Sequence, residues 1–375
     1  MNLDIEDTRQ LLEGVGRFAR ERIADHASRP ESPPGPEILA ELTREASALG
    51  ILPQSTEEEG FGIWENSTDA QAVSFSIGAL RSIAHACPGV AFAWHRMALA
   101  RVAAVELGLV LHEDELQRVL FSPTGHYGLA RTSLAKWLKA SPLQAEDITL
   151  LADWLDNQAH ALTLCAPSNW RSLLRPVWCG DHIAWQQVSR SDLEVCENIQ
   201  HGFDELTGFV VRQPSPAAAP IEREAQDARR LYGNLLKLDM LGLLAIGAGA
   251  LERGEEQAKD YAAIRKQGGK AIVRHPAVQH MLSDIAIARQ QADMALAQFA
   301  RPVDELDIGV VATMRASVSV ALCQAADQVI QVHGGIGYMR DAGPEKLVRD
   351  QNMLKLMSGG TREIHAFLAG WHGAC

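Results

Sequence analysis

Gln331-Val332-His333-Gly334-Gly335-Ile336-Gly337-Tyr338 is followed by Pro344-Glu345-Lys346, by Arg349-Asp350 and by Gly359-Gly360-Thr361-Arg362-Glu363-Ile364. Glycines at 334, 335 and 337 let backbone N–H groups approach a phosphate without a Cβ in the way. A Gly-Gly pair is also a generic helix stop. A second group, Arg265-Lys266-Gln267-Gly268-Gly269-Lys270-Ala271-Ile272 with His275 close behind, carries a guanidinium whose planar fork can clamp a pyrophosphate at two points. On its own, such an arginine reads equally as a solvated helix end. Asp239 stands in the apolar run Leu238 to Leu244, where a carboxylate is costly without a partner or a purpose. Thr361 and Glu363 suit the cap and first-turn acid of a helix. His95, His112 and His126 show no ligand spacing, so no metal site is read from the sequence. Glu252, Glu255 and Glu256 form a charged helix face.

These residues need elements to hold them. Glu37 to Leu49 carries Ile38, Leu39, Leu42, Ala46 and Leu49 on one stripe, follows Pro36 and stops at Gly50. Asn66 to Ala86 and Val90 to Leu107 repeat the helical pattern around Cys87-Pro88-Gly89. From 122 to about 220 the pattern changes to short apolar runs, Ala161 to Cys165, Leu174 to Trp185 and Gly208 to Val211, which predict strands. Trp137, Trp154, Trp170, Trp178 and Trp185 fall in this region and read as its packing core. Pro214 to Pro220 reads as a surface connection. Helical segments return near 225–264, 276–300, 307–333 and 345–371, with apolar faces that suit a bundle. The division is therefore an N-terminal helical domain over 1–121, a middle β domain over 122–220 and a C-terminal four-helix bundle over 221–375, an α+β fold.

The ordered set of Q-x-x-G-G-x-G-Y, P-x-K and R-D, then G-T-x-E-I resembles the C-terminal signature of the acyl-CoA dehydrogenases. Helix, β, helix in that order is similar to the family's architecture over the whole chain, most strongly in its last 150 residues. The resemblance implies FAD and the α,β-desaturation of an acyl-CoA or acyl-carrier-protein thioester. It also implies an electron-transfer flavoprotein or similar acceptor, and a tetramer. It implies that Arg265, Gln267, Ile272 and His275 lie in the segment that reaches a neighbouring subunit's FAD. Gln331, Gly334 and Gly335 then contact the ADP half of the flavin across the interface, and Thr361 and Glu363 touch the flavin of their own subunit. Gly268 and Pro276 depart from the family's Phe and Gln.

Three departures bear on catalysis. The family's Glu before Gly-Thr is its usual base, and here that position is Gly359. The middle domain's T-E-P-x-x-G-S-D segment is not readable after Tyr127-Gly128-Leu129-Ala130, where Arg131 to Trp137 stand instead. A family Arg on the helix near 240 is Met240. One branch of the family places its base on the preceding helix, 22 residues before the helix-end Tyr, and counting back from Tyr261 reaches Asp239. Asp239 is therefore the candidate base of an FAD-dependent dehydrogenase. The alternative is a catalytically degenerate partner subunit that completes the FAD site of a sister chain, because the retained residues are those the family turns toward its neighbour. A flavin monooxygenase or nitroalkane-oxidase-like branch shares the problem of the missing acid.

Composition narrows the setting. A net charge of -12 disfavours nucleic acid and anionic membranes as partners, and 47% hydrophobic residues suffice for a large core. The N-terminus shows no apolar signal region, and the longest apolar run, about Leu238 to Leu251, is too short to span a bilayer. Six scattered cysteines without a CxxC pair fit a reducing cytoplasm.

Overall fold

The computed structural model describes residues 4–214 and 219–373. The middle of the Pro214–Pro220 connection lies outside the described residues. Helix α1 (Ile5–Phe18) continues through a π turn into Ile23, and α2 (Pro36–Ala48) follows a proline at its first turn. Helices α3 (Ala70–Ala86) and α4 (Pro88–Leu107) meet at Cys87, whose extended backbone ends one helix and starts the next. Asp69 caps α3 by accepting from the Ala72 N–H, so the helix starts four residues later than the expected Asn66. Gly108 closes α4 in the left-handed conformation that glycine adopts without a Cβ clash.

The middle region builds two small sheets. Strand β1 (Val119–Phe121) runs parallel to β3 (Ser172–Cys179), and β3 pairs antiparallel with β4 (His182–Ser189) through the turn at Gly180. The second sheet has the order β2 (Leu162–Ala166), β6 (Thr207–Arg212), β5 (Glu194–Asn198), all antiparallel. Leu120, Leu162, Trp170, Leu173, Phe209 and Val211 form a separate apolar cluster that joins the two sheets. Two helices interrupt the expected β region, α5 (Arg131–Leu138) and α6 (Ala145–Leu155). Their apolar residues lie on one helical stripe each, and period 3.6 prevails over the tryptophan-rich composition. Of the five tryptophans, Trp137, Trp154, Trp170 and Trp185 are buried, and Trp178 is half-buried against Trp137.

Helix α7 (Ala225–Ile264) is the axis of the molecule, with every residue from Leu235 to Leu251 buried. Helices α3, α4, α8 (Pro276–Gln298) and α9 (Ile308–His333) all pack on it. This explains its all-round hydrophobicity, since a helix surrounded by others needs no polar face. Leu241 is fully buried here, and truncation to Ala would cost about 2–5 kcal/mol. Among the described residues two helices are long and apolar enough to cross a membrane, α7 and the segment that begins with α9, and both are largely buried inside the fold. The expected single helix over 345–371 is two, α10 (Pro344–Leu356) and α11 (Thr361–Trp371), because Ser358 and Gly359 both take positive φ between them.

Candidate active site

Three segments enclose a cavity of about 400 Å³: the start of α4, the loop after β1, and the turn between α10 and α11. Phe92 and Arg96 come from α4, Ser122 to Gly128 from the loop, and Met357 to Gly360 with Glu363 from the turn and α11; Leu162 to Cys165 of β2 complete the wall. The loop is held from beneath. Tyr232 on α7 donates its hydroxyl to the Pro123 carbonyl at 2.7 Å, and Trp154 on α6 donates its indole N–H to the Gly128 carbonyl at 2.7 Å. The His126 backbone N–H donates to the Trp154 carbonyl at 3.2 Å, and the ring Nδ1 donates to the same oxygen at 3.1 Å. Burial and the adjacent His160 hold the His126 pKa below its ordinary value.

The α10–α11 turn is fixed by two buried arginines. Arg315 on α9 donates to the carbonyls of Leu354 and Met357, the second at 3.4 Å. Arg96 donates from Nη2 to the Ser358 hydroxyl at 3.1 Å. Gly359 has φ of +106°, and a Cβ there would lie 3.1 Å from Leu129 Cγ. On the facing loop, a Cβ at Gly128 would come within 2.7 Å of Gly359 Cα. The two backbones touch, and a side chain at 359 would crowd Leu129, which would have to shift to admit it.

Asp239 lies one layer behind this wall and is fully buried. Its Oδ1 is 3.1 Å from His95 Nε2 and 2.9 Å from Arg96 Nη1, the latter an ion pair without hydrogen-bond alignment. The Trp64 indole N–H donates to His95 Nδ1 at 3.0 Å. Indole only donates, so Nδ1 is the acceptor and the proton sits on Nε2, donated to Asp239. His95 can approach α7 because Gly242 lacks a side chain; a Cβ there would fall 2.2 Å from the ring. Burial pushes the His95 pKa down, against the pull of Asp239. Burial would raise the Asp239 pKa, but Arg96 first and then His95 outweigh it, and the carboxyl stays below its ordinary range.

A probable acyl-CoA dehydrogenase of Bacillus subtilis, YngJ, is 32% identical across 97% of both chains. The chain belongs to the acyl-CoA dehydrogenase family. The model of the acyl-CoA dehydrogenase C-terminal domain matches residues 234–369. A 3-sulfinopropanoyl-CoA desulfinase of Paraburkholderia xenovorans (strain LB400) is 28% identical over 43% of this chain, an alignment that spans 40% of that protein. The solved structure of a glutaryl-CoA dehydrogenase from Mycobacterium smegmatis superposes over 100% of this chain and 96% of its own, with TM-score 0.73 and 16% identity. Acyl-CoA dehydrogenases are flavoproteins, and the three-part fold of helices, sheets and helices is theirs.

Within this member of the acyl-CoA dehydrogenase family, the residues singled out from sequence fall into three places. Glu363 lines the cavity and is the one carboxylate among the described residues that do. Thr361 opens α11 beside it, with Gly360 at the cap position. Asp239 is behind the wall, screened from the cavity by Arg96 and Ser358. The remaining residues gather at the far end of the bundle. There the hairpin after α7 carries Arg265 and Gln267, both exposed, and His275 Nε2 lies 3.1 Å from the Gln267 carbonyl. Ile272 is 6% exposed and packs into this chain's own core, so its side chain anchors the hairpin. The rings of Tyr261 and His333 stack at 4.7 Å, which joins the hairpin to the end of α9, where Gln331, Gly334 and Gly335 are exposed.

Sequence reasoning missed the cavity loop and its partners. The wall is Ser122 to Gly128, directly after β1; the Arg131–Trp137 segment is the helix α5, which packs on α11 and takes no part in the cavity. His95 is a hydrogen-bonded bridge in the core, and Arg96 reaches both Asp239 and Ser358. The signal that could have found this pair was two ionisable residues side by side inside the apolar run Gly89 to Ala100.

Proposed function

We propose that the protein is an FAD-dependent oxidoreductase that desaturates an acyl thioester carried by CoA or an acyl-carrier protein. The observation that carries this reading is the cavity. Its apolar faces come from Phe92, Leu120 and Met357, and its polar edge from Ser122, Thr124 and Thr163. A flat ring with carbonyl and N–H groups along its edge suits that lining. FAD, when bound, supplies the hydride acceptor. The apolar wall excludes water, which strengthens each hydrogen bond offered to the thioester carbonyl. Loss of an α-proton needs a carboxylate at the wall. Glu363 is the acid so placed, whereas Asp239 as base requires its contacts to Arg96 and His95 to open.

Arg265, Gln267, His275, Gln331, Gly334 and Gly335 support a composite site in which they serve the pyrophosphate and ADP half of a neighbour's flavin. Exposed Ile336, Tyr338 and Met339 beside them, with Ile287 and Met294 on α8, offer apolar surface for a tetramer. An electron-transfer flavoprotein or similar acceptor would reoxidise the flavin. The free cysteines at 87, 165, 179, 196 and 323 accord with a reducing cytoplasm.

A second reading is favoured by Gly359: a degenerate subunit whose exposed bundle end completes a sister chain's flavin site. The visible absorption spectrum of the chain purified alone separates the two. Near-stoichiometric flavin that bleaches with an acyl-CoA, and an E363Q variant that binds flavin but no longer bleaches, support the oxidoreductase. Colourless protein that FAD cannot reconstitute, and flavin regained only with a sister chain, support the partner subunit.

A further inference from the structure

The fold brings together three ligand-type side chains that are 27 and 7 residues apart in the chain: His126, Asp153 and His160. Their nearest ligand atoms all lie within 4.8 Å of one another. His126 belongs to the cavity loop, Asp153 to the end of α6, and His160 to the turn that enters β2.

The arrangement is held by hydrogen bonds that belong to the backbone. A carbonyl can only accept, so the contact between His126 Nδ1 and the Trp154 carbonyl places the ring proton on Nδ1 and leaves the Nε2 lone pair free. Metal-binding histidines use the same device, with the second nitrogen tied to a carbonyl to fix the tautomer. The Asp156 carboxylate caps the turn through the N–H groups of Gln158 and Ala159, and Asn157 donates to the His160 carbonyl at 3.0 Å. The two imidazoles lie face to face, centroids 4.0 Å apart and planes 25° from parallel. His160 Nε2 meets Asp153 Oδ1 at 2.9 Å, so one proton lies between two potential ligand atoms. If that proton moves to Nδ1, His160 Nε2 becomes a second nitrogen ligand beside the carboxylate.

We propose that His126, Asp153 and His160 form a binding site for a divalent transition cation of the zinc class, at the rim of the cavity. Two imidazoles and one carboxylate are a borderline donor set that suits zinc, with the remaining position left to water. Bonds of roughly 2.0–2.2 Å require the three ligand atoms, now within 4.8 Å of one another, to draw closer together around the cation. The cation would clamp the loop Ser122–Gly128 to the α6–β2 turn and thereby stiffen the cavity wall.

The test uses the full chain without an affinity tag, stripped with chelator and titrated calorimetrically with zinc chloride. One saturable site is expected in the wild type. H126Q, D153N and H160Q should each weaken it at least about tenfold, since loss of even an outer-shell partner costs roughly 10–100-fold. H182Q removes a different histidine, one that faces Asp181 and Glu222, and should leave the site intact. Stoichiometric zinc should also slow amide exchange over residues 122–128 and 153–160 in the wild type but not in H126Q, with circular dichroism confirming that each variant is folded. Three results would overturn the site: no saturable binding, equal binding in the three ligand variants, or loss of binding through H182Q instead.

Discussion

Replacing Asp239 with Asn tests whether this carboxylate is a base or the counter-ion of Arg96. Asn keeps the shape and an acceptor for His95, but leaves Arg96 buried without a compensating charge. Breaking one side of a buried ion pair costs about 3–5 kcal/mol. With an unfolding entropy of roughly 2.1 cal/mol/K per residue, a chain of 375 residues loses about 4–6 °C in Tm. The pH dependence follows from the same contact. The folded carboxyl is held below its ordinary pKa, so its stabilisation is present above that ordinary value and is lost as pH falls through the folded value. D239N should therefore be less acid-sensitive than the wild type as well as less stable near neutrality. Replacing both partners with apolar residues, R96M together with D239L, removes the uncompensated charge but leaves the buried His95 Nε2–H without its acceptor and Ser358 without its donor, so only part of the loss should be recovered. Differential scanning calorimetry across acid to neutral pH reads all three. An unchanged Tm and acid profile in D239N, with turnover abolished, would refute the counter-ion role and favour a base.

Tyr232→Phe leaves the Pro123 carbonyl without its donor and should destabilise by about 1–3 kcal/mol in denaturant unfolding, with faster amide exchange over the cavity loop. Gly359→Ala forces a Cβ into positive φ against Leu129 and should cost about 1–3 kcal/mol by the same measurement. Asp350 shares buried Lys346 with Glu205; burial pushes its carboxyl up to about 6 despite the lysine. A raised carboxyl pKa gives stability that is present below the ordinary value and lost as pH rises through about 6. D350N should remove that falling limb from a plot of denaturant midpoint against pH.

The C-terminal half was legible because its motifs are contiguous and its helices are long. The segments expected near 225–264, 276–300 and 307–333 correspond to α7, α8 and α9 within two residues at each end. The break at Ser358–Gly359 was not, since a positive φ at serine has no sequence signal. Strands β3 and β4 appeared as one apolar run because Gly180-Asp181 is a two-residue turn inside it. The cavity wall was missed for a different reason: Ser122, Arg96 and Ser358 come from three distant segments, and only packing on α7 brings them together. His126 is the same case, since a spacing rule cannot see ligands brought together by a loop and a helix end.

The contact between Gly128 and Gly359 also bears on the order in which this chain can change. A glutamate arriving first at position 359 meets Leu129 and a backbone torsion that suits glycine. A smaller residue arriving first at 129 meets neither obstacle. A change at 129 relieves the contact but not the torsion, so a glutamate at 359 is accommodated only when the facing loop and the turn change together.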